Sequence, residues 1–332
     1  MRNDKTETIG IEEAVRYFRS PFRKDASKRV RGRVAVIAGS RGMSGAAALC
    51  AEAAMRSGAG LSYLILPASC LAAAEILVPE AVKLPVGEGA RSCFTERDID
   101  RVAGCCSAAD AVVIGPGLGR DARTGAFVRG LLADPDFAPA ACVIVTDADG
   151  LWHLGSDREE IVKITSAHPG KFVFTPHEGE AARLLGTGVG EVAAERRKSA
   201  AALFELTSGG VAVLKGSGTL VAAGGESGGA CVFVNVTGNP ALATGGSGDV
   251  LAGVIGGMAA SAPAVEAAEG CAAARPGDCH FAENIVKYAV ALHGLAGDLA
   301  AGKYGGRWPL ARDIIRELGE IGKDAGQYKS LG

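Results

Sequence analysis

The sequence predicts an open α/β fold, a mainly parallel central sheet covered by helices on both faces. Three observations carry that reading. Short continuous apolar runs alternate with Ala-rich helical segments, as repeated strand–helix units require. Five of those runs end in glycine, acid, His or Lys, at the place where such sheets bind ligands. The composition, 48% apolar but only 5% aromatic and with 48 glycines, suits a closely packed core of small side chains.

Taken in order, residues 1–27 form an N-terminal extension with one amphipathic patch (Ile11, Val15, Phe18), expected as a helix on the core. Val34–Ala38 is a buried strand running into Gly39-Ser40. A helix over Ala46–Arg56 follows, stopped by Gly58. Leu61–Leu66 is the next strand, and Cys70–Val78 a helix halted by Pro79. Asp110–Gly115 is a strand leading into Gly115-Pro-Gly-Leu-Gly119 and a helix near Arg123–Leu132. Cys142–Thr146 ends in Asp147-Ala-Asp149, and Phe172–Thr175 leads into a helix that ends at Gly186. Glu191–Leu206 reads as one long amphipathic helix. Val211–Leu214 ends at Lys215, and Thr219–Ala223 with Ala230–Val234 form a closing hairpin. Helices near 250–260, 283–302 and 310–321 finish the chain, with the Ala/Gly/Pro-rich segment 261–279 between them as an expected surface insertion. With no repeat and no linker, residues 1–332 are expected to form one domain.

A formal net charge of −2 argues against a dedicated nucleic-acid binder. The early basic run from Arg16 to Arg33 suits a solvated helix face or attraction of an anionic ligand. Nine cysteines without metal-ligand spacing, and a polar N-terminus where a signal would need an apolar stretch, point to a cytoplasmic chain with reduced thiols. The apolar run Val250–Val265 is broken by glycines and a proline, so a buried core helix is expected rather than a membrane span.

The stretch from Asn235 to Asp249 concentrates the chemistry. Glycines 245, 246 and 248 let backbone N–H groups converge ahead of a helix N-terminus, which suits an anion such as phosphate. Asp249 at its lip fits two roles, a helix cap or a base taking a proton from a hydroxyl that attacks phosphorus. A carboxylate held at a helix N-terminus is expected to stay ionised. There is no Walker motif. Gly117-Leu-Gly-Arg-Asp-Ala122 meets only the relaxed dinucleotide fingerprint, whose confirming acid is missing from its expected place. Lys215-Gly-Ser-Gly-Thr219 sets a cation and a hydroxyl on a tight turn.

Five motifs together resemble the nucleotide-dependent NAD(P)H-hydrate dehydratases: Gly39-Ser40 with Gly45-Ala46-Ala47, Gly115-Pro-Gly-Leu-Gly119, Thr175-Pro-His-Glu-Gly-Glu through Gly186, Leu214-Lys-Gly-Ser-Gly-Thr219, and Thr237-Gly-Asn-Pro through Asp249. They cover roughly residues 28–320 in family order. The resemblance implies a ribokinase-like three-layer α/β/α fold. It also implies ADP- or ATP-dependent restoration of NADH or NADPH from the hydrated form, by phosphorylation of the 6-hydroxyl and loss of phosphate. Carried over, Asp249 is the base and a substrate contact, Gly246, Ser247 and Gly248 form the anion hole, and Gly248 also touches the nucleotide. Lys215, Gly216, Ser217, Gly218 and Thr219 line the adenylate site, while Ala46, Gly117 and His177 contact the hydrated dinucleotide. Glu180 is the candidate for an outer role around Mg2+, its other reading being a first-turn helix residue. A homotetramer and functional pairing with a separate epimerase are also implied; the chain leaves no room for the epimerase domain fused to some relatives. The alternatives are a ribokinase-like kinase acting on a vitamin-precursor alcohol, and a catalytically idle nucleotide sensor. Departures from the pattern are Arg29 in Ser27-Lys-Arg-Val-Arg-Gly32, Trp152 in Asp147-Ala-Asp-Gly-Leu-Trp152, Ala241 and Ser247.

Overall fold

The computed structural model describes residues 7–225, 229–269 and 279–323. A two-residue strand β1 (Glu7–Thr8) and helix α1 (Ile11–Arg19) precede the repeated units. These begin with β2 (Arg33–Ile37) and α2 (Ser44–Arg56), β3 (Leu61–Pro67) and α3 (Leu71–Leu77), then β4 (Val82–Val86) and α4 (Ile99–Cys106). β5 (Ala111–Ile114) leads to α5 (Ala122–Ala133), and β6 (Ile144–Thr146) to α6 (Asp149–Leu154) and α7 (Arg158–Thr165). β7 (Phe172–Phe174) is followed by α8 (Glu178–Leu185), α9 (Val189–Ala194) and α10 (Arg196–Glu205). After β8 (Val211–Leu214), β9 (Leu220–Gly224) and β10 (Ala230–Val234) come α11 (Ser247–Glu269), α12 (Cys279–Tyr304) and α13 (Ala311–Ile321).

The strands form one sheet in the order β1-β10-β9-β8-β7-β6-β5-β2-β3-β4. Only β9 runs against the others, pairing antiparallel with β8 and β10. Side-chain alternation along each strand splits the core in two. Val34 and Val36 face a cluster shared with α1–α3 and α11–α13, whereas Ala35 and Ile37 face one shared with α4–α10. The architecture is the expected three-layer α/β/α.

The chain leaves β2 outward through β3 and β4, then returns to β5 on the other side of β2. That reversal opens a crevice at the C-terminal ends of β2 and β5, the usual ligand position in such sheets. Glycine also explains how α11 reaches it. An added Cβ at Gly253 or Gly257 would sit 2.3 or 2.1 Å from the Cys50 or Ala54 carbonyl oxygen, so α11 lies directly on the backbone of α2. The Ser247–Glu266 part of α11 is long and apolar enough to cross a bilayer, but its most apolar window is 83% buried within the fold.

Three expectations need correction. The helix over Glu191–Leu206 is two, α9 and α10, because Glu195 leaves helical geometry at φ −122°, ψ 49°. β1, β4, α4, α6 and α7 are additional elements. The expected insertion at 261–279 begins inside α11, where Ser261, Ala262, Ala264 and Val265 are buried; residues 270–278 lie outside the described part. The helix expected on the core within the N-terminal extension is α1, with Ala14 and Val15 buried and Ile11 and Phe18 packed against the core.

Candidate active site

Three strand ends and one helix start meet at the centre. Asp147 follows β6, Thr175 follows β7 and Lys215 follows β8. Asp147 is 1% exposed and its Oδ1 accepts from Lys215 Nζ at 2.7 Å and Thr175 Oγ1 at 2.7 Å. Lys215 Nζ also lies 3.9 Å from Glu180 Oε2. Burial alone would lower the Lys215 ammonium, but Asp147 and Glu180 outweigh it and raise it, so this lysine is a fixed cation.

The first turn of α11 stands over that cation. A Cβ at Gly248 would lie 3.3 Å from Lys215 Nζ and 3.8 Å from Asp147 Oδ2. Gly246 adopts φ +91°, and a Cβ there would meet Leu49 Cδ1 at 2.6 Å and Ala311 Cβ at 3.1 Å. Only glycine fits, and the turn is thereby clamped between α2 and α13. The Ser247 N–H is occupied by the Thr244 carbonyl at 3.2 Å. The amides of Gly246, Gly248 and Asp249 have no backbone acceptor among the described residues, and these N–H groups, rather than that of Ser247, are available to an anion.

Asp249 is the third residue of α11, not its cap. Burial, then the neighbouring Asp147, pushes its carboxyl up to about 7, with Lys215 holding it lower than those two would leave it. The expectation that the helix N-terminus keeps this group ionised is therefore corrected: loss of solvent and the like charge of Asp147 outweigh the dipole. A carboxyl poised near neutrality is well matched to general base work.

His177 Nδ1 accepts from the Gly179 and Glu180 amides at 3.0 and 3.2 Å, and Glu180 Oε2 accepts from the His177 N–H at 2.8 Å. The pair is a reciprocal capping box on α8, so Glu180 has the capping role that competed with a metal role. Among the described residues no three His, Cys, Asp or Glu side chains gather to hold a metal ion.

A cleft of about 950 Å³ brings Lys215, Gly216, Ser217, Gly218 and Thr219 together with His177, Ser247 and Gly248. Its floor is the stretch 235–248, tied to α12. Thr237 Oγ1 donates to Ala291 O at 2.8 Å, and Asn239 Nδ2 to Asp298 Oδ1 at 2.7 Å. His293 Nε2 lies 3.0 Å from Ser247 O, and burial lowers this histidine to about 4, so it is neutral and donates there. Ala46 and Gly117 also meet, an added Cβ on Gly117 lying 3.1 Å from Ala46 Cβ, but outside the lining of this cleft. His177 thus shares a wall with the Lys215–Thr219 turn rather than with Ala46 and Gly117. Sequence reasoning missed His293 and Asp298; for Asp298 the available signal is that 291, 294 and 298 fall on one helical face.

A family model described as NAD(P)H-hydrate dehydratase matches residues 34–317. The chain is 35% identical over 298 residues to a bifunctional NAD(P)H-hydrate repair enzyme of Moorella thermoacetica, covering 88% of this chain and 50% of that protein. It spans about half the length of the first bifunctional relatives it matches. It is 34% identical over 293 residues to an ADP-dependent (S)-NAD(P)H-hydrate dehydratase of Xanthomonas campestris pv. campestris, covering 88% of each. Among solved structures, an ADP/ATP-dependent NAD(P)H-hydrate dehydratase of Bacillus subtilis, co-crystallised with ATP and Mg2+, superposes with a TM-score of 0.70 at 26% identity, covering 96% of this chain and 98% of that one.

Proposed function

Because this chain belongs to the NAD(P)H-hydrate dehydratase family, we propose that it converts the S-epimer of hydrated NADH or NADPH back to the reduced dinucleotide, using ADP or ATP. The observation that carries this is Asp249, a carboxyl near neutrality in a glycine-built helix start, standing over the Lys215–Asp147 pair.

In this reading the adenine nucleotide occupies the cleft along Lys215–Thr219, with its phosphates toward Gly248 and the Lys215 ammonium. The hydrated ring approaches from the side of Ala46 and Gly117, and His177 closes the wall between. Asp249 takes the 6-hydroxyl proton as that oxygen attacks the terminal phosphorus. The free amides of Gly246, Gly248 and Asp249, with Lys215, stabilise charge on the transferring phosphoryl oxygens. The C6–O bond then breaks, phosphate leaves with the former hydroxyl oxygen, and loss of a ring proton restores the double bond. The ring thus loses the elements of water, the oxygen leaving in phosphate, and AMP or ADP is the other product.

Mg2+ typically keeps several waters and binds through one or two carboxylates plus substrate phosphates. The chain's own donors fit only that mode, with Glu180 acting through water, and the ion would spread charge on the phosphates. The family resemblance also leads us to propose a homotetramer acting in the cytoplasm and served by a separate epimerase; the bifunctional naming of relatives supports the last point.

The test mixes purified protein, hydrated NADH or NADPH, Mg2+ and ADP or ATP, and follows the near-ultraviolet absorbance of the regenerated dihydropyridine. Recovery that requires nucleotide is expected. No recovery with either nucleotide would sink the proposal, and a phosphorylated product accumulating without elimination would make the protein a kinase.

A further inference from the structure

A second pocket lies beside the Gly115–Gly119 loop and has no part in the chemistry above. It encloses about 220 Å³ and is lined by Arg120, Arg129, Arg183, Trp152 and His153 with small residues, and no acid among the described residues is in the lining. That volume holds a phosphate group but not a whole nucleotide.

Its construction concentrates positive charge. Arg120 and Arg183 place their guanidinium carbons 3.9 and 3.8 Å from the centre of the Trp152 ring. Both cannot stack so closely on one face, so the indole lies between two cations. Arg129 Nη1 donates to His153 O at 2.9 Å and Arg183 Nη2 to Trp152 O at 3.1 Å, which fixes these two heads by the backbone of α6. The charges are only partly offset. Arg120 Nε is 3.4 Å from Asp149 and Arg129 Nε 3.6 Å from the half-exposed Glu160. Arg183 has no carboxylate within 4 Å among the described residues, and its buried Nε has no hydrogen-bond partner. A donor buried without a partner is unfavourable, and an anion seated here would offset the unbalanced positive charge. Burial and the nearby Arg129 and Arg183 also lower His153, so this ring is neutral and the three arginines alone supply the positive charge.

The pocket borders the Gly115–Gly119 loop, whose Gly117 lies against Ala46. Asp149 Oδ2 accepts from the Gly119 N–H at 2.8 Å, and His153 Nε2 lies 2.7 Å from Gly119 O. A long ligand with its reacting end at Asp249 that passes over Gly117 and Gly119 comes to these arginines. We infer that the pocket formed by Arg120, Arg129 and Arg183 is a phosphate-monoester subsite that holds the 2′-phosphate of hydrated NADPH, making this protein selective for the phosphorylated dinucleotide. The inference rests on the dehydratase reading for its substrate, but not for its anion.

The test uses the full chain carrying Trp308→Phe, which leaves Trp152 as the reporter because the sequence has two tryptophans. Trp308 is 71% exposed, so the exchange is tolerated. Adenosine 2′,5′-bisphosphate and 5′-ADP, equal in phosphate count, are titrated against Trp152 fluorescence, with pyrophosphate as a third probe. The 2′,5′ compound is expected to change the emission at concentrations where the others do not. Arg120→Gln, on a side chain already 62% exposed, is expected to weaken its binding about tenfold, as loss of one charge-assisted contact predicts. In turnover, Arg120→Gln should lower the ratio of kcat/KM for hydrated NADPH over hydrated NADH by about tenfold. Equal responses to 5′-ADP or pyrophosphate, or an unchanged ratio, overturn the assignment. If neither hydrated dinucleotide turns over, the dehydratase reading fails while the fluorescence still decides the pocket.

Discussion

Replacing Asp249 by Asn removes a charge that the fold holds at a cost. The gap between an ordinary carboxyl at 3.8 and about 7 sets a ceiling of about 4 kcal/mol, at about 1.4 kcal/mol for each tenfold. Because burial is the first cause and water can reach a partly exposed group, a gain of about 1–3 kcal/mol is expected at pH 8. The folded state binds the Asp249 proton more tightly than the unfolded chain does. The stabilising contribution of the protonated group is therefore full below about pH 4 and is lost as pH rises through about 7. The gain from Asn should accordingly be large at pH 8 and shrink to little near pH 4. Thermal unfolding without nucleotide at both pH values reads this directly, as a rise of about 1.5–4 °C at pH 8 for a chain of this size. A variant less stable than the parent at pH 8 would refute the reasoning and return Asp249 to an ionised, helix-stabilising role.

The same carboxyl sets the pH dependence of turnover. kcat/KM should fall about tenfold per pH unit below pH 6 and level off above pH 8, and a profile flat from pH 5 to 8 would remove Asp249 as the base. Lys215→Met strands Asp147, which is 1% exposed, with Thr175 as its remaining side-chain partner; a loss of about 3–5 kcal/mol is expected in urea unfolding. Gly257→Ala puts a methyl 2.1 Å from the Ala54 carbonyl oxygen and must push α11 off α2, costing about 1–3 kcal/mol in the same experiment with the site residues untouched.

The layers of this fold are written locally, and that is why they could be read. Val34–Ala38 and Val211–Leu214 are continuous apolar runs bounded by glycine or lysine, and they form strands because both faces are buried. β1 and β4 were not legible: two exposed residues, and a Val-Lys-Leu-Pro-Val run, gain their strand character from an edge they pair with. The break at Glu195 lies within an unbroken helical pattern, so local composition gives no sign of it. At the site, glycines 246 and 248 and Lys215 announced themselves by type and spacing. The state of Asp249 did not, since it is set first by burial that only the assembled layers create, and then by Asp147, about a hundred positions away in sequence. The Arg120–Trp152–Arg183 stack likewise draws on three separate elements.

The central claim is that the 6-hydroxyl oxygen of the hydrated ring attacks phosphorus, with Asp249 taking its proton. Substrate carrying a heavy oxygen isotope in that hydroxyl, turned over once with ADP or ATP, tests it most directly. Mass spectrometry of the released phosphate should find the label there, with the reduced dinucleotide recovered in equal amount. Label appearing in water, beside unlabelled phosphate, would show that the hydroxyl departs without ever being phosphorylated and would contradict the account.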